Sequence, residues 1–249
     1  MKPNILKELN AQTQHLTAVE SLKWIAEAYG KEARFSLGFG LEGMVIADMI
    51  FSQKLDIGVF TLDTGRLFVE TYELFNKVYA RYKQKIEVFF PESKAVEKLL
   101  TEKGPFSFYE SVENRKECCG IRKLRPLQRA LAGSKIWITG LRAAQSPYRS
   151  TLAKFYWDEK HQVIKFNPLF EWSEEEVQAY IRAHKVPYNA LQDRGYKSIG
   201  CAPCTRATLA GESERSGRWW WEDSHKECGL HEISNPIQTN EPQAICQNC

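Results

Sequence analysis

The chain has 249 residues, 43% of them hydrophobic and 26% charged, which excludes a disordered or collagen-like polypeptide. At about 100–200 residues per domain, that length fits one large domain, or one domain plus a tail. The 34 basic and 31 acidic side chains leave a net charge of only +3. This is too mild for nucleic-acid binding by bulk charge, which needs a domain pI above about 9 or a basic stripe. No apolar run reaches the roughly 18 residues of a membrane span. Residues 1–10 are polar and lack the apolar stretch of a signal peptide, so a cytoplasmic protein is expected. In a reducing compartment the seven cysteines are expected to serve as metal ligands or catalytic thiols, and an odd number cannot all pair as disulfides.

In chain order, a helix is expected from about Leu16 to Tyr29. Short apolar runs, partly β-branched or aromatic, predict strands at Ala33–Leu37, Asp56–Phe60, Ile86–Phe90 and Lys135–Thr139. Apolar spacing between them predicts helices over Leu41–Gln53, Leu67–Lys83 and Ser93–Lys103. This alternation argues for an α/β fold, a mainly parallel sheet covered by helices on both faces, with ligands at the carboxyl ends of the strands. Beyond about Ser150 the pattern loosens. Ser173-Glu174-Glu175-Glu176 is a capping box opening a helix to about His184, with Pro187 just past its end. After Gly195 the chain is rich in Gly, Arg, Trp and Cys, and Ser234–Cys249 is a polar tail expected to be mobile.

Cys118-Cys119 and Cys201-Ala202-Pro203-Cys204 carry the strongest chemical signal. Alone, C-x-x-C is read as zinc, a redox dithiol or half of an iron–sulfur site. Adjacent cysteines suit a single tetrahedral ion poorly, because consecutive side chains diverge. A cubane spreads its irons over a larger volume, and four cysteines are the full complement of a [4Fe–4S] cluster. The two pairs lie 82 positions apart, so only the fold can bring them together. Cys228 has no partner at that spacing. With Gly229 beside it and His225, Lys226 and His231 near, it is either a thiol of lowered pKa fit for nucleophilic attack or an exposed bystander.

The remaining signals concern anions. Gly38, Gly40 and Gly43 follow the first strand and open a helix, a partial match to a glycine-rich phosphate loop, with Asp63 as the acidic residue about twenty positions on. Asp63 and Gly65 shape a turn after the second strand, and Arg66 offers a planar donor fork. Arg142 follows the strand at Lys135–Thr139. Arg206, Arg215 and Arg218 precede Trp219-Trp220-Trp221, and Arg122, Lys123 and Arg125 lie beside the cysteine pair. Each cation alone is a solvated charge, but their recurrence at strand ends and beside cysteines favours a small polyanionic ligand. The three tryptophans are expected to pack as anchors.

Together these stretches resemble the thioredoxin-dependent assimilatory adenylyl-sulfate reductases of the phosphoadenylyl-sulfate reductase family. The resemblance runs from about Phe35 to His231. It rests on LDTGRL (Leu62–Leu67), CCGIRKLRPL (Cys118–Leu127), TGLRAAQSP (Thr139–Pro147), KFNPL (Lys165–Leu169), RGYKSIGCAPCTR (Arg194–Arg206), GRWWW (Gly217–Trp221) and KECGLH (Lys226–His231). It implies an adenine-nucleotide α-hydrolase-like sandwich and reduction of adenylyl sulfate to sulfite and AMP by thioredoxin or glutaredoxin. It also implies a [4Fe–4S] cluster on Cys118, Cys119, Cys201 and Cys204, and Cys228 as nucleophile. Lys123 is then placed between cluster and sulfate, Arg215 and Arg218 at the sulfate and phosphate end. Gly38, Gly40, Glu42, Asp63, Gly65, Arg66, Arg142, Arg206 and His231 become expected substrate contacts. The expected organisation is an α/β nucleotide- and cluster-binding unit over 1–206, a mobile catalytic segment over 207–233 and a flexible tail over 234–249, as monomer or homo-oligomer.

Two features depart from the family pattern. The loop reads GFGLEG where relatives carry an SGAED-like sequence, with Gly43 in place of Asp, and the tail ends in Cys246-Gln247-Asn248-Cys249, for which the family offers no role. A reductase of the 3′-phosphorylated nucleotide is the nearest alternative. A tRNA-thiolating enzyme of the related PP-loop type would want an SGG-x-D-S loop, and an iron–sulfur redox sensor would leave Cys228 and the arginines without a purpose.

Overall fold

A computed structural model describes residues 2–222. Cys228, His231, Cys246, Cys249 and the expected tail over 234–249 lie outside the described residues. Two helices open the chain, α1 (Lys2–Thr13) and α2 (Ala18–Tyr29), followed by β1 (Ala33–Ser36), α3 (Leu41–Ser52), β2 (Gly58–Leu62), α4 (Val69–Tyr82), β3 (Glu87–Phe89) and α5 (Ser93–Lys103). Next come α6 (Val112–Cys119), one π-helical turn (Gly120–Leu124), α7 (Arg125–Ala130), β4 (Ile136–Ile138), α8 (Pro147–Ser150), β5 (Phe155–Asp158), β6 (Val163–Phe166) and α9 (Glu174–His184).

The helix starts follow from local chemistry. Thr17 accepts the Glu20 backbone N–H at 3.3 Å while the Glu20 carboxylate accepts the Thr17 N–H at 2.8 Å, so two donors with no intrahelical partner are satisfied reciprocally. Ser173 and Glu176 do the same for α9, as the sequence predicts. The six strands lie in the order β3-β2-β1-β4-β6-β5, parallel throughout except for the antiparallel β5–β6 pair. Alternating side chains divide the core between the two faces. Ile136 and Ile138 join Phe35, Val59, Ile164 and Phe166 under α2, α3, α4 and α9. Trp137, Phe60 and Val163 face the opposite way, onto Leu127, Ala130 and Leu131 at α7.

The four sequence-predicted strands and the helices between them are present. The loosened stretch beyond Ser150 is instead ordered as the β5–β6 pair, and α1 precedes the expected first helix. In β6, Lys165 is buried; its ammonium meets Asp158 at 2.7 Å and lies 4.2 Å over the Trp137 ring. Among the described residues, no helix is long and apolar enough to cross a membrane.

Candidate active site

The sheet order reverses at β1. The chain moves outward to β2 and β3 and then returns to pair β4 on the other side, which opens a crevice beyond the carboxyl ends of β1 and β4. The loop after β1 enters it. Phe39 takes a left-handed backbone (φ +57°) and buries its ring against Phe75, and Gly40 then begins α3. Gly140, after β4, lies so close that a Cβ there would stand 3.0 Å from the Glu42 Cβ and 3.3 Å from the Gly43 nitrogen. Gly38, Gly40, Glu42 and Gly43 line the crevice together with Thr61, Thr64, Thr139 and Trp137. The first turn of α3, whose leading N–H groups have no intrahelical acceptor, lines it through Leu41, Glu42 and Gly43. Its cations are Lys123, Arg149, Lys197, Arg215 and Arg218, and its acids are Glu42 and Glu214.

Behind this cleft lies a second cavity, walled by Cys118, Cys119, Cys201 and Cys204 with Arg66, Arg115, Arg122, Phe108 and Trp219. Lys123 and Cys201 belong to both walls. The fold closes the separation of 82 positions through the turn after β2. The Arg66 carbonyl accepts the Ala202 N–H at 2.8 Å, Leu67 bridges Cys201, and the Thr64 hydroxyl lies 3.3 Å from the Cys201 sulfur. Burial pushes the Cys204 thiol up to about 12, with the Cys201 charge adding to it, and burial also raises Cys118. Burial opposes ionisation of Cys201 too, but Lys123, the Thr64 hydroxyl, Arg218 and Arg122 outweigh it and hold that thiol below its ordinary value. Four buried donors around this centre have no acceptor among the described residues: Nε of Arg122, Nε of Arg218 and the indole N–H groups of Trp219 and Trp221. Among the described residues, no group of three or more His, Cys, Asp or Glu side chains is arranged to hold a metal ion.

Three ion pairs, made by two arginines, brace the C-terminal part of the site. Arg115, on α6, grips Glu222 with two hydrogen bonds of 2.7 and 3.0 Å, both side chains buried. Arg142 meets Glu42 at 2.7 Å and Glu214 at 3.4 Å, tying the loop after β1 to the segment that carries Arg215 and Arg218.

Residues 32–207 match the model of the phosphoadenosine phosphosulfate reductase domain. The chain belongs to that family. It is 48% identical to an adenosine 5′-phosphosulfate reductase from Allochromatium vinosum, over 88% of this chain and 86% of the relative. It is 46% identical to one from Burkholderia cepacia, over 94% and 93%. A solved phosphoadenylyl-sulfate reductase from Candida auris, a phosphate complex, superposes with a TM-score of 0.71 at 33% identity, covering 83% of this chain and 98% of that one. The FMN adenylyltransferase of Candida glabrata, 15% identical with a TM-score of 0.52, shares the fold alone. The expected adenine-nucleotide α-hydrolase-like architecture and the expected family are both confirmed.

Within this family frame, the structure sorts the sequence-predicted residues. Gly38, Gly40, Glu42, Lys123, Arg215 and Arg218 line the cleft, and Cys118, Cys119, Cys201 and Cys204 share the cavity behind it. Five expected substrate contacts lie elsewhere. Arg142 is buried between Glu42 and Glu214 and does not line the cleft. Asp63 accepts the Gly65 N–H at 2.8 Å and the Tyr72 hydroxyl at 2.9 Å, so it shapes the turn. Gly65 supplies that turn with φ +69°, against Arg122. Arg66 donates to the Pro105 carbonyl at 2.6 Å, lies over Phe106 and Phe108, and walls the cysteine cavity. Arg206 is paired with Glu212 at 2.7 Å. Cys228 and His231 lie outside the described residues. Sequence reasoning missed Arg149, Lys197 and Glu214 as lining residues. The signal for Lys197 was its place in the run leading into the C-x-x-C; Arg149 and Glu214 carried none.

Proposed function

We propose that this chain reduces adenylyl sulfate to sulfite and AMP with a dithiol protein, thioredoxin or glutaredoxin, as reductant. The observation that carries this reading is the double wall: Lys123 and Cys201 line both the cationic cleft and the four-cysteine cavity. The names of the relatives agree with it. The Cys228 thiolate attacks the sulfur of the substrate's sulfate; a sulfur–sulfur bond forms, the bond from sulfur to the bridging oxygen breaks, and AMP leaves. Arg215, Arg218 and Lys123 offset the repulsion between thiolate and sulfate, a contribution of a few kcal/mol per well-placed donor. A reductant thiolate then attacks the Cys228 sulfur and displaces sulfite, and the second reductant thiol resolves the mixed disulfide. Two electrons pass from the dithiol to sulfur, so the chemistry draws none from a metal.

The cavity suits a [4Fe–4S] cluster. It has four sulfur donors, surrounding cations that offset the charge of four thiolates, and buried Arg and Trp donors that lack acceptors among the described residues. A mononuclear zinc would need its ligands to close on one point at about 2.3 Å, which the adjacent Cys118 and Cys119 suit poorly because consecutive side chains diverge. When bound, the cluster supplies a rigid anionic centre. Lys123 lines both the cysteine cavity that would hold it and the cleft.

The test is a pair of variants with two readouts, the visible spectrum and intact mass. Cys228→Ser keeps the brown chromophore and forms no sulfonated enzyme; Cys201→Ser loses chromophore and sulfite release together. A covalent adduct on Cys228→Ser would sink the nucleophile assignment, and a colourless, iron-free chain with full turnover would sink the cluster. The 33% identical Candida auris relative is named for the 3′-phosphorylated substrate. Sulfite release from each nucleotide in competition decides between the two, with adenylyl sulfate expected to win.

A further inference from the structure

Glu214 is an acid in a cleft built for anions. It lines that cleft directly before Arg215, with a mostly buried side chain. Among the described residues its ion-pair partner is shared: Arg142 holds Glu42 at 2.7 Å and reaches Glu214 only at 3.4 Å, and the Gln145 amide likewise sits 3.0 Å from Glu42 and 3.5 Å from Glu214. Two carboxylates thus compete for one guanidinium, and Glu214 has the weaker hold. The charged groups facing it come from four elements: Glu42 on α3, Arg142 after β4, Arg149 on α8 and Glu174 at the start of α9. Its chain neighbour Arg215 also lines the cleft.

We propose that Glu214 is the proton-linked residue of the nucleotide cleft, taking up one proton as an anionic phosphate or sulfate group enters, so that nucleotide affinity falls as the solution becomes alkaline. This rests on the nucleotide reading of the cleft given above. Burial, the strongest influence, and the negative charge of Glu42 push the free carboxyl up to about 7; Glu174 adds to this, and Arg142 and Arg149 pull against it. An incoming anion adds repulsion of the same sign and raises the carboxyl further. Protonation then removes the repulsion and leaves Arg142 to Glu42. Glu214 thereby sets affinity without exchanging a proton with the reacting atoms.

The experiment uses the full holoenzyme and AMP as probe. Calorimetric titrations at pH 7.5, in buffers of different ionisation enthalpy, count protons taken up on binding. More than half a proton is expected for a carboxyl that is mainly ionised when free and protonated when bound. The AMP phosphate itself titrates near pH 6 and is almost fully dianionic there. Between pH 7.5 and 9 the affinity is expected to fall by about tenfold or more. Glu214→Gln, which puts an uncharged amide of the same shape in place of the carboxyl, abolishes that share of the uptake and flattens the affinity profile. Wild-type binding without uptake, or the same uptake by Glu214→Gln, overturns the proposal and leaves the nucleotide site intact. A wild-type chain that binds neither AMP nor adenylyl sulfate removes the nucleotide reading and this inference with it. The wild-type buffer series stands even if the variant does not fold.

Discussion

Gly200 precedes the first cysteine of the C-x-x-C, and the space its side chain would fill belongs to Arg218. A Cβ there would lie 2.3 Å from Nη2 and 2.5 Å from Cζ of that guanidinium, against ordinary contact from 3.4 Å. Gly200→Ala therefore drives Arg218 back by about 1 Å. Arg218 is buried and stacked 4.5 Å over Trp219, so it cannot swing freely into solvent. Overpacking of this size costs about 1–3 kcal/mol, which a folded domain survives. A displacement of about 1 Å in a group that positions substrate costs as much as a hundredfold in rate, so kcat/KM for adenylyl sulfate is expected to fall ten- to a hundredfold. The assay is sulfite release with thioredoxin, beside a thermal melt and the visible spectrum. If Gly200 acts only through Arg218, Gly200→Ala/Arg218→Ala is no worse than Arg218→Ala. Wild-type kinetics for Gly200→Ala, or a further loss in the double variant, refutes the reasoning. Gly217→Ala is the contrast: its Cβ would meet the Arg206 backbone oxygen at 2.3 Å, which cannot swing aside, so that variant loses stability first.

Two further outcomes follow from buried charge. In Asp158→Asn the Lys165 ammonium stays in the core without its counter-charge, at a cost of about 3–5 kcal/mol at neutral pH. Burial works against the charged form of Asp158, but the hydrogen bond from His161 and the Lys165 charge outweigh it and hold this carboxyl well below the usual range. Its contribution is therefore complete above about pH 4 and is lost only as pH falls below that. Urea melts should show the gap between parent and variant constant from pH 5 to 8 and narrowing in acid; a constant gap down to pH 2 contradicts the assignment. Glu222→Ala leaves Arg115 buried beside the cysteines without its carboxylate partner, so the variant should melt lower and lose the visible absorbance of the proposed cluster faster in air, whereas parent-like melting and parent-like bleaching would show the pair to be dispensable.

The sheet up to β4 is legible in the sequence because each strand is a short apolar run between helices of clear spacing. β5 and β6 are not, since Asp158 and Lys165 interrupt their apolar pattern, and only the fold shows these charges cancelling in the interior. The cysteine set is legible as chemistry because thiols are few and their spacing is informative. The surroundings of the arginines are not: no pattern in the sequence pairs Arg142 with Glu42 and Glu214, 100 and 72 positions away. Glu214 gives no signal because an acidic residue in a charged segment has no pattern to mark it as a cleft-lining one.

The turn at Gly120–Leu124 has a consequence for how the gene can change. There the Arg125 N–H reaches back to the Gly120 carbonyl, a five-residue step where an ordinary helix takes four. Deleting any one of these residues would let α6 and α7 fuse into a continuous spiral. Everything downstream would then rotate by about 100° relative to the cysteine pair. The segment is locked in length more tightly than in composition: substitutions can drift, but frame-preserving insertions and deletions should be absent from functional variants.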